Sequence, residues 1–288
     1  VREVSHSCRI SLVHSPSHIA LSLALSILVT GLVLVVWLSP ELRRWLRGTG
    51  SIRQTLSNAS VGALFLLSQL FFRGVIIAVF TAVSVHIPWK LPHAHPITFV
   101  IAFLLLDAVY YLQHRLEHKV PLLWAIHSVH HQSVDYNWSV SFRVGIFASI
   151  STMLFHSLVA LAGVDAVTYA AVGTAHAMLL FGLHARTRFT LGPGRVFNAP
   201  IFHRVHHASN DDAIDKNFGG VLLVFDRLFE TFTPYREGLV YGVTDEPLHH
   251  NPVVANMAPW VTLFRAAAKK KTLGGKVKAL FVRDEEPA

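Results

Sequence analysis

Apolar residues in this chain fall in long uncharged runs rather than in the three-to-four spacing of a soluble amphipathic helix. The first runs from Ile19 to Leu38. Its twenty residues, at about 1.5 Å each, cover the roughly 30 Å hydrocarbon core of a bilayer. The exit V-V-W-L-S-P lacks the small-x-small pattern of a cleaved signal peptide, so a retained span is expected. A second run, 59–85, is longer than one crossing needs and is interrupted at Arg73–Gly74, where a tilt or kink is expected. A central arginine costs about 2.5 to 3.5 kcal/mol on insertion scales, and Asp107 is a candidate partner for it. A third run covers 97–113, and a fourth and fifth cover 144–163 and 166–183, joined by a turn around Gly163 and Asp165. Beyond 184 the chain is polar, with turn signals at Gly192–Pro193–Gly194 and Gly219–Gly220, and a basic tail from Lys269 to Lys278. The expected class is an all-α membrane protein of about four to five transmembrane helices.

Composition agrees. Of 288 residues 52% are hydrophobic and only 15% charged, with mean hydropathy +0.45, against about 25% charged in soluble proteins. The net charge of +8 raises nucleic acid as a partner. The basic residues flank apolar runs instead of aromatic stacking platforms, which fits positive-inside bias and excludes that reading. A lone cysteine, Cys8, excludes an intramolecular disulfide and any cysteine-based metal site. With the N-terminus outside and alternating spans, 39–57, 114–143 and 184–288 face the cytoplasm and hold 21 of the 25 lysines and arginines. The same alternation puts three histidine clusters on one side of the membrane.

Those clusters carry the chemistry. His114 and His118 follow the third run, His127, His130 and His131 come next, and His203, His206 and His207 form a second H-x-x-H-H. On a helix such spacings aim two or three imidazoles at one point. Imidazole is the commonest protein metal ligand. Eight nitrogens exceed what one tetrahedral or octahedral ion accepts, so a dinuclear site is expected. His184, emerging from the fifth span on the same side, is a ninth candidate. Glu117 points about 100° from His114 and His118 on a helix, so a role behind the ligands or a solvated one is expected rather than ligation. Asp107, on the His114/His118 stripe, is expected to accept a ligand's second ring N–H. His156 and His176, inside spans, are expected to pack helices. His249–His250 and the His93/His95 pair read as loop features. A zinc hydrolase would want H-E-x-x-H, and the chain has H-R-L-E-H. A non-enzymatic rival is a metal transporter or a bis-histidine haem protein; transport would want its ligands at mid-membrane, whereas the three clusters lie beyond the span ends.

D-x-x-Y-Y-x-x-H-R-x-x-H at 107–118, H-S-V-H-H at 127–131 and F-H-R-V-H-H at 202–207 resemble the fatty acid hydroxylase / sterol desaturase superfamily of membrane di-iron enzymes. D-K-N-F-G-G at 215–220 and F-D-R-L-F at 225–229 extend the match, and Y-G-V-T-D-E-P at 241–247 is similar to its alkylglycerol monooxygenase and ornithine-lipid hydroxylase branch. Glu230 stands where that family often has Gly, and Phe218 where Tyr is common. The resemblance implies N-terminal spans in 1–96, a hydroxylase-like catalytic domain in 97–252 and a basic tail in 253–288. A cytoplasmic-side helical cap would hold two irons, for which zinc can substitute in vitro, on His114, His118, His127, His130, His131, His203, His206 and His207. It implies O2-dependent attack on a fatty acyl, alkyl or sterol-like lipid, with electrons from a separate ferredoxin or cytochrome. Rebound gives an alcohol, and a second hydrogen abstraction gives a double bond. Around the ligands, Asp215, Asn217 and Asp226 are expected as acceptors, and Arg204 and Lys216 either as contacts for a lipid head group or in a solvated or structural role.

Overall fold

A computed structural model describes residues 42–93, 95–188, 190, 194–244 and 247–283. The expected first span lies outside them. The chain divides into two compact units between Thr49 and Gly50. In the first, 42–46 are helical. The second, from Gly50 on, contains the later expected spans, the three histidine clusters and the basic tail. The described residues form helices with no strand, and the only bridges are Phe197 with Leu222 and Ala208 with Tyr241.

Helix α1, Ile52–His86, has 35 residues and starts at Ser51, whose hydroxyl accepts from Gln54 N. It continues unbroken through Arg73–Gly74, and nothing lies near enough to Gly74 to force a bend. At about 1.5 Å per residue it reaches about 52 Å, well beyond a bilayer core. The surplus has a place. Its first turns bury Gln54, Thr55, Ser57 and Asn58, while its later turns expose Leu66, Leu67, Leu70 and Phe71. Only 6% of its most apolar window is buried, so this is no core helix of a soluble protein; its outward face calls for lipid. Helix α2, Pro96–Lys119, is the second helix long and apolar enough to cross. Its last turns bury Gln113, His114, Glu117 and His118. Val120, held extended before Pro121, ends it and starts α3, Pro121–His131, in a new direction.

The fourth and fifth expected spans come out short. Helix α4, Ala148–Ala160, and helix α5, Ala166–Gly182, are apolar but have 13 and 17 residues, or about 20 and 26 Å. The chain before α4 cannot be helical. Gly145 presses on α3 so closely that a Cβ there would lie 2.8 Å from Ile126 O, and Ile146 N donates to Asn256 Oδ1. Asp165 caps α5 by accepting from Val167 N and Thr168 N. Phe80, Leu106, Val159 and Val172 bring α1, α2, α4 and α5 into one core.

Short helices α6, Pro200–His206, and α7, Val224–Leu228, follow. The basic tail is helical too: α8, Pro252–Ala268, and α9, Leu273–Phe281. Ala255 of α8 packs on Val61 and Val129, tying it to α1 and α3. The fully buried Arg143 joins the same elements. Its five N–H groups meet five neutral oxygens, on Val129, Ser57, Asn58, Gln132 and His249. Burial lowers its pKa to about 10, so it stays a cation at neutral pH.

Candidate metal centre

Three breaks in the chain aim the imidazoles inward. The Val120–Pro121 bend swings α3 back beside the end of α2, His184 follows the end of α5, and α6 carries the last H-x-x-H-H. Nine histidines converge in two groups. His114, His118, His127, His131 and His206 form one; His130, His184, His203 and His207 form the other. Within each group the ligand atoms lie within 4.8 Å of one another. The sequence pairs His130/His131 and His206/His207 each divide between the groups, and the His131 and His207 rings stack at 4.4 Å. The groups are therefore side by side, and His184 belongs with them.

Anchors behind the rings fix which nitrogen faces in. His114 Nδ1–H donates to Phe218 O (2.8 Å), His130 Nδ1–H to Arg143 O (3.0 Å) and His206 Nδ1–H to Lys216 O (2.9 Å). His127 Nδ1 lies 3.0 Å from Glu117 Oε2, and His118 Nδ1 3.5 Å from Asp215 Oδ1. With Nδ1 protonated, each Nε2 presents a lone pair. These lone pairs face one another: His114 to His127 and His127 to His131 at 3.1 Å, His130 to His184 at 3.0 Å, and His184 to His203 and His207 at 3.1 Å. Buried Nε2 atoms of His118 and His206 have no hydrogen-bond partner. Opposed lone pairs repel, and a cation between them removes the repulsion. Two bonds of about 2.1 Å at a right angle span about 3.0 Å, whereas a tetrahedral pair would span about 3.4 Å. The donor set of each group thus suits a metal ion, and the shortest spacings lie near the right-angle value.

Burial disfavours the charged form of six of these imidazoles and leaves them ready to bind. Desolvation first, then neighbouring imidazoles, hold His130, His131, His203 and His207 well below the ordinary histidine value. Desolvation does the same to His206, and takes His184 to about 3.

The residues expected behind the ligands divide. Asp215 reaches His118 and also binds Lys119. Glu117 is buried and accepts from Ser151 (2.6 Å) and Gln113 (2.9 Å) as well as facing His127. Asp107 contacts no histidine of either group and is no partner of Arg73, which is exposed. It accepts from His176 Nε2 (2.8 Å), Val221 N (2.7 Å) and Leu222 N (3.0 Å). Asp226 likewise takes Phe218 N, Gly219 N and Thr231 Oγ1 instead of a ring N–H. Asn217 holds the carbonyls of Phe202 and Thr233. Two buried carboxylates therefore clamp the loop 218–222 from both ends, and that loop supplies the carbonyl that orients His114. Arg204 is buried, donates to Thr187 O and lies over Tyr235, so it does not reach for a head group. Lys216 serves through its backbone carbonyl. His176 packs helices as expected, and His156 does so through Tyr169 OH (2.9 Å).

The sequence reading passed over Trp124, whose indole lies 5.0 Å from the His118 ring and 5.6 Å from His131. A cleft of about 100 Å³ opens beside it, rimmed by Ser209, Thr244 and Arg283 and reaching His118, His131, His206 and His207. The other end of the site is apolar and aromatic, with Tyr110 5.2 Å from His114.

Residues 99–231, which hold all nine histidines, match the fatty acid hydroxylase family. Over that stretch the chain is similar to fatty acid hydroxylases. Alkylglycerol monooxygenase of Homo sapiens is 36% identical over 197 residues, 68% of this chain and 44% of that protein. The Danio rerio alkylglycerol monooxygenase is 34% identical over 205 residues, 69% of this chain and 46% of that protein. Ornithine lipid hydroxylase OlsE of Rhizobium tropici is 27% identical over 205 residues, 68% of this chain and 60% of that protein. The chain thus spans under half the length of the alkylglycerol monooxygenases it matches. No solved structure matches it. Within residues 99–231 the H-x-x-x-H, H-x-x-H-H and H-x-x-H-H motifs sit on α2, α3 and α6, with His207 just past the end of α6.

Proposed function

We propose that the two imidazole groups hold two iron ions, one each, and that the protein hydroxylates the aliphatic chain of a lipid with O2 and electrons from a separate ferredoxin- or cytochrome-type carrier. The observation that supports this most is the convergence of nine largely buried imidazoles in two adjacent groups at the ends of the helices. The relatives' names, a monooxygenase of alkylglycerols and a hydroxylase of ornithine lipids, favour oxygen insertion into a lipid over desaturation. Bound iron supplies activation of O2 and oxidation of an unactivated C–H bond.

The chain's own residues do the rest. The carbonyls of Phe218, Arg143 and Lys216, with Glu117, fix ring orientation and keep Nδ1 protonated. Burial excludes water, which would otherwise compete for the reacting centre. Outward apolar faces on α1 and α2 keep the site at the depth where an acyl or alkyl chain can bend into it. The cleft beside Trp124 leaves an opposite, polar approach. On the charge distribution that polar side is cytoplasmic, where reductant is found.

Mass spectrometry of total lipids from a host expressing this chain, beside one expressing His130→Ala, tests the reading. A lipid class gaining one oxygen only with the unaltered chain is the expected result. Loss of two hydrogens instead would make it a desaturase, and equal modification with His130→Ala would remove that histidine from the site.

A further inference from the structure

Helix α9 turns an apolar stripe outward. Leu273, Val277 and Phe281 follow one another four residues apart, hence about 40° apart round the helix, and are 79%, 49% and 52% exposed. Lys276 and Lys278, both exposed, flank the stripe on either edge. The opposite side, with the half-buried Gly275 and Ala279, is the one that packs on α8 and α3. Helix α8 shows the same division, exposing Val253, Val261 and Phe264 while burying Ala255, Leu263 and Ala267. From Pro252 to Arg283 the sequence has no Asp or Glu and seven Lys or Arg, a net charge of +7.

We propose that α8 and α9 form an interfacial anchor lying on the anionic surface of the bilayer that α1 and α2 cross. The outward stripes sink among the upper acyl chains, and the lysines beside them reach lipid phosphates. An acidic protein partner would meet the charges and leave the apolar stripe in water. A second copy of this chain would bring +7 against +7. A bilayer meets both features at once, and α8 already packs on α1, the helix whose outward face is apolar. The consequence reaches the metal centre. Arg283, just past α9, lies 5.5 Å over the Trp124 ring, and both rim the cleft to His118 and His131. Seating α9 on the membrane holds that rim. The proposal rests on the membrane reading, though not on which metal or substrate the site takes.

The test uses the full chain in proteoliposomes, with Cys8→Ser and Val277→Cys carrying an environment-sensitive fluorophore, and Asp211→Cys as an exposed control. Vesicles are phosphatidylcholine alone or with phosphatidylglycerol. Expected at 277 are blue-shifted emission and quenching by bromine-bearing acyl chains, stronger with phosphatidylglycerol and reduced by Lys276→Glu with Lys278→Glu; the label at 211 remains open to aqueous iodide. Iodide quenching at 277 equal to that at 211 in both vesicles would overturn the proposal. So would shielding that disappears when the chain is diluted to one copy per vesicle, the mark of a second copy, or shielding that appears only when an acidic carrier protein is added. A chain that alkaline carbonate strips from the vesicles would instead overturn the membrane reading beneath it.

Discussion

Imidazoles that face one another at 3.0–3.1 Å depend on what stands behind them. Glu117 is the one carboxylate close behind a ring of the first group at hydrogen-bond distance, 3.0 Å from His127 Nδ1. Glu117→Gln keeps an acceptor and removes the charge, so His127 becomes a weaker donor to metal. Iron affinity is expected to fall about 10- to 100-fold with the fold kept, read by competition with a chelator; unchanged affinity would make Glu117 a packing residue. Glu230 makes a separate point. Its φ of 58° puts it in the left-handed region, just after α7, where Thr231 N returns to Asp226 O. That geometry is a glycine terminus occupied by a side chain. Relief of about 1–2 kcal/mol of left-handed strain, offset by about 0.4–1 kcal/mol of unfolded-state entropy, leaves Glu230→Gly stabilising by roughly 0.5–1 kcal/mol. Thermal unfolding of the two proteins in one detergent reads it directly.

At the scale of elements, the three histidine motifs were legible because helical spacing is local: i, i+3 and i+4 need no knowledge of the fold. His184 was legible from where its span ends. The anchors were not, because three of them are backbone carbonyls, which every residue carries and no sequence marks. Asp107 and Asp226 misled for a related reason. A buried carboxylate announces that it needs donors but not which ones, and here the donors are loop amides. The short α4 was hidden as well, since Gly145 and Ile126 are separated in the sequence and meet only in the fold. The loop 218–222 shows what such contacts cost to disturb. A Cβ at Gly220 would lie 2.6 Å from Asp107 Oδ1 and 2.9 Å from Tyr110 Cδ1. Gly220→Ala is therefore expected to displace the loop, tilt His114 through Phe218 O and lower iron occupancy while leaving helix content unchanged. Metal analysis beside circular dichroism checks it, and full occupancy would mean that the loop yields without moving His114.

Across the whole molecule, one division of labour explains the sequence pattern. Apolar helices set the depth, and polar turns at their ends build the site: the first turns of α1, the last of α2, and α3 and α6. This is why α1 exceeds a bilayer's thickness, and why polar residues cluster at one end of each long helix. Hydropathy made the membrane class readable, but the number of crossings depends on helix ends set by tertiary contacts. The helices of the basic tail were not legible, because their apolar positions are spaced round a helix instead of forming a run.

The claim on which the rest depends is that nine histidines hold two irons in two groups. Metal content per chain, measured on protein purified from iron-supplied cells, tests it most directly when His207→Ala from the second group is measured beside the unaltered protein. Two irons per chain, falling toward one in the variant, is the expected result. One ion or none in the unaltered protein, or two that His207→Ala leaves in place, would contradict it.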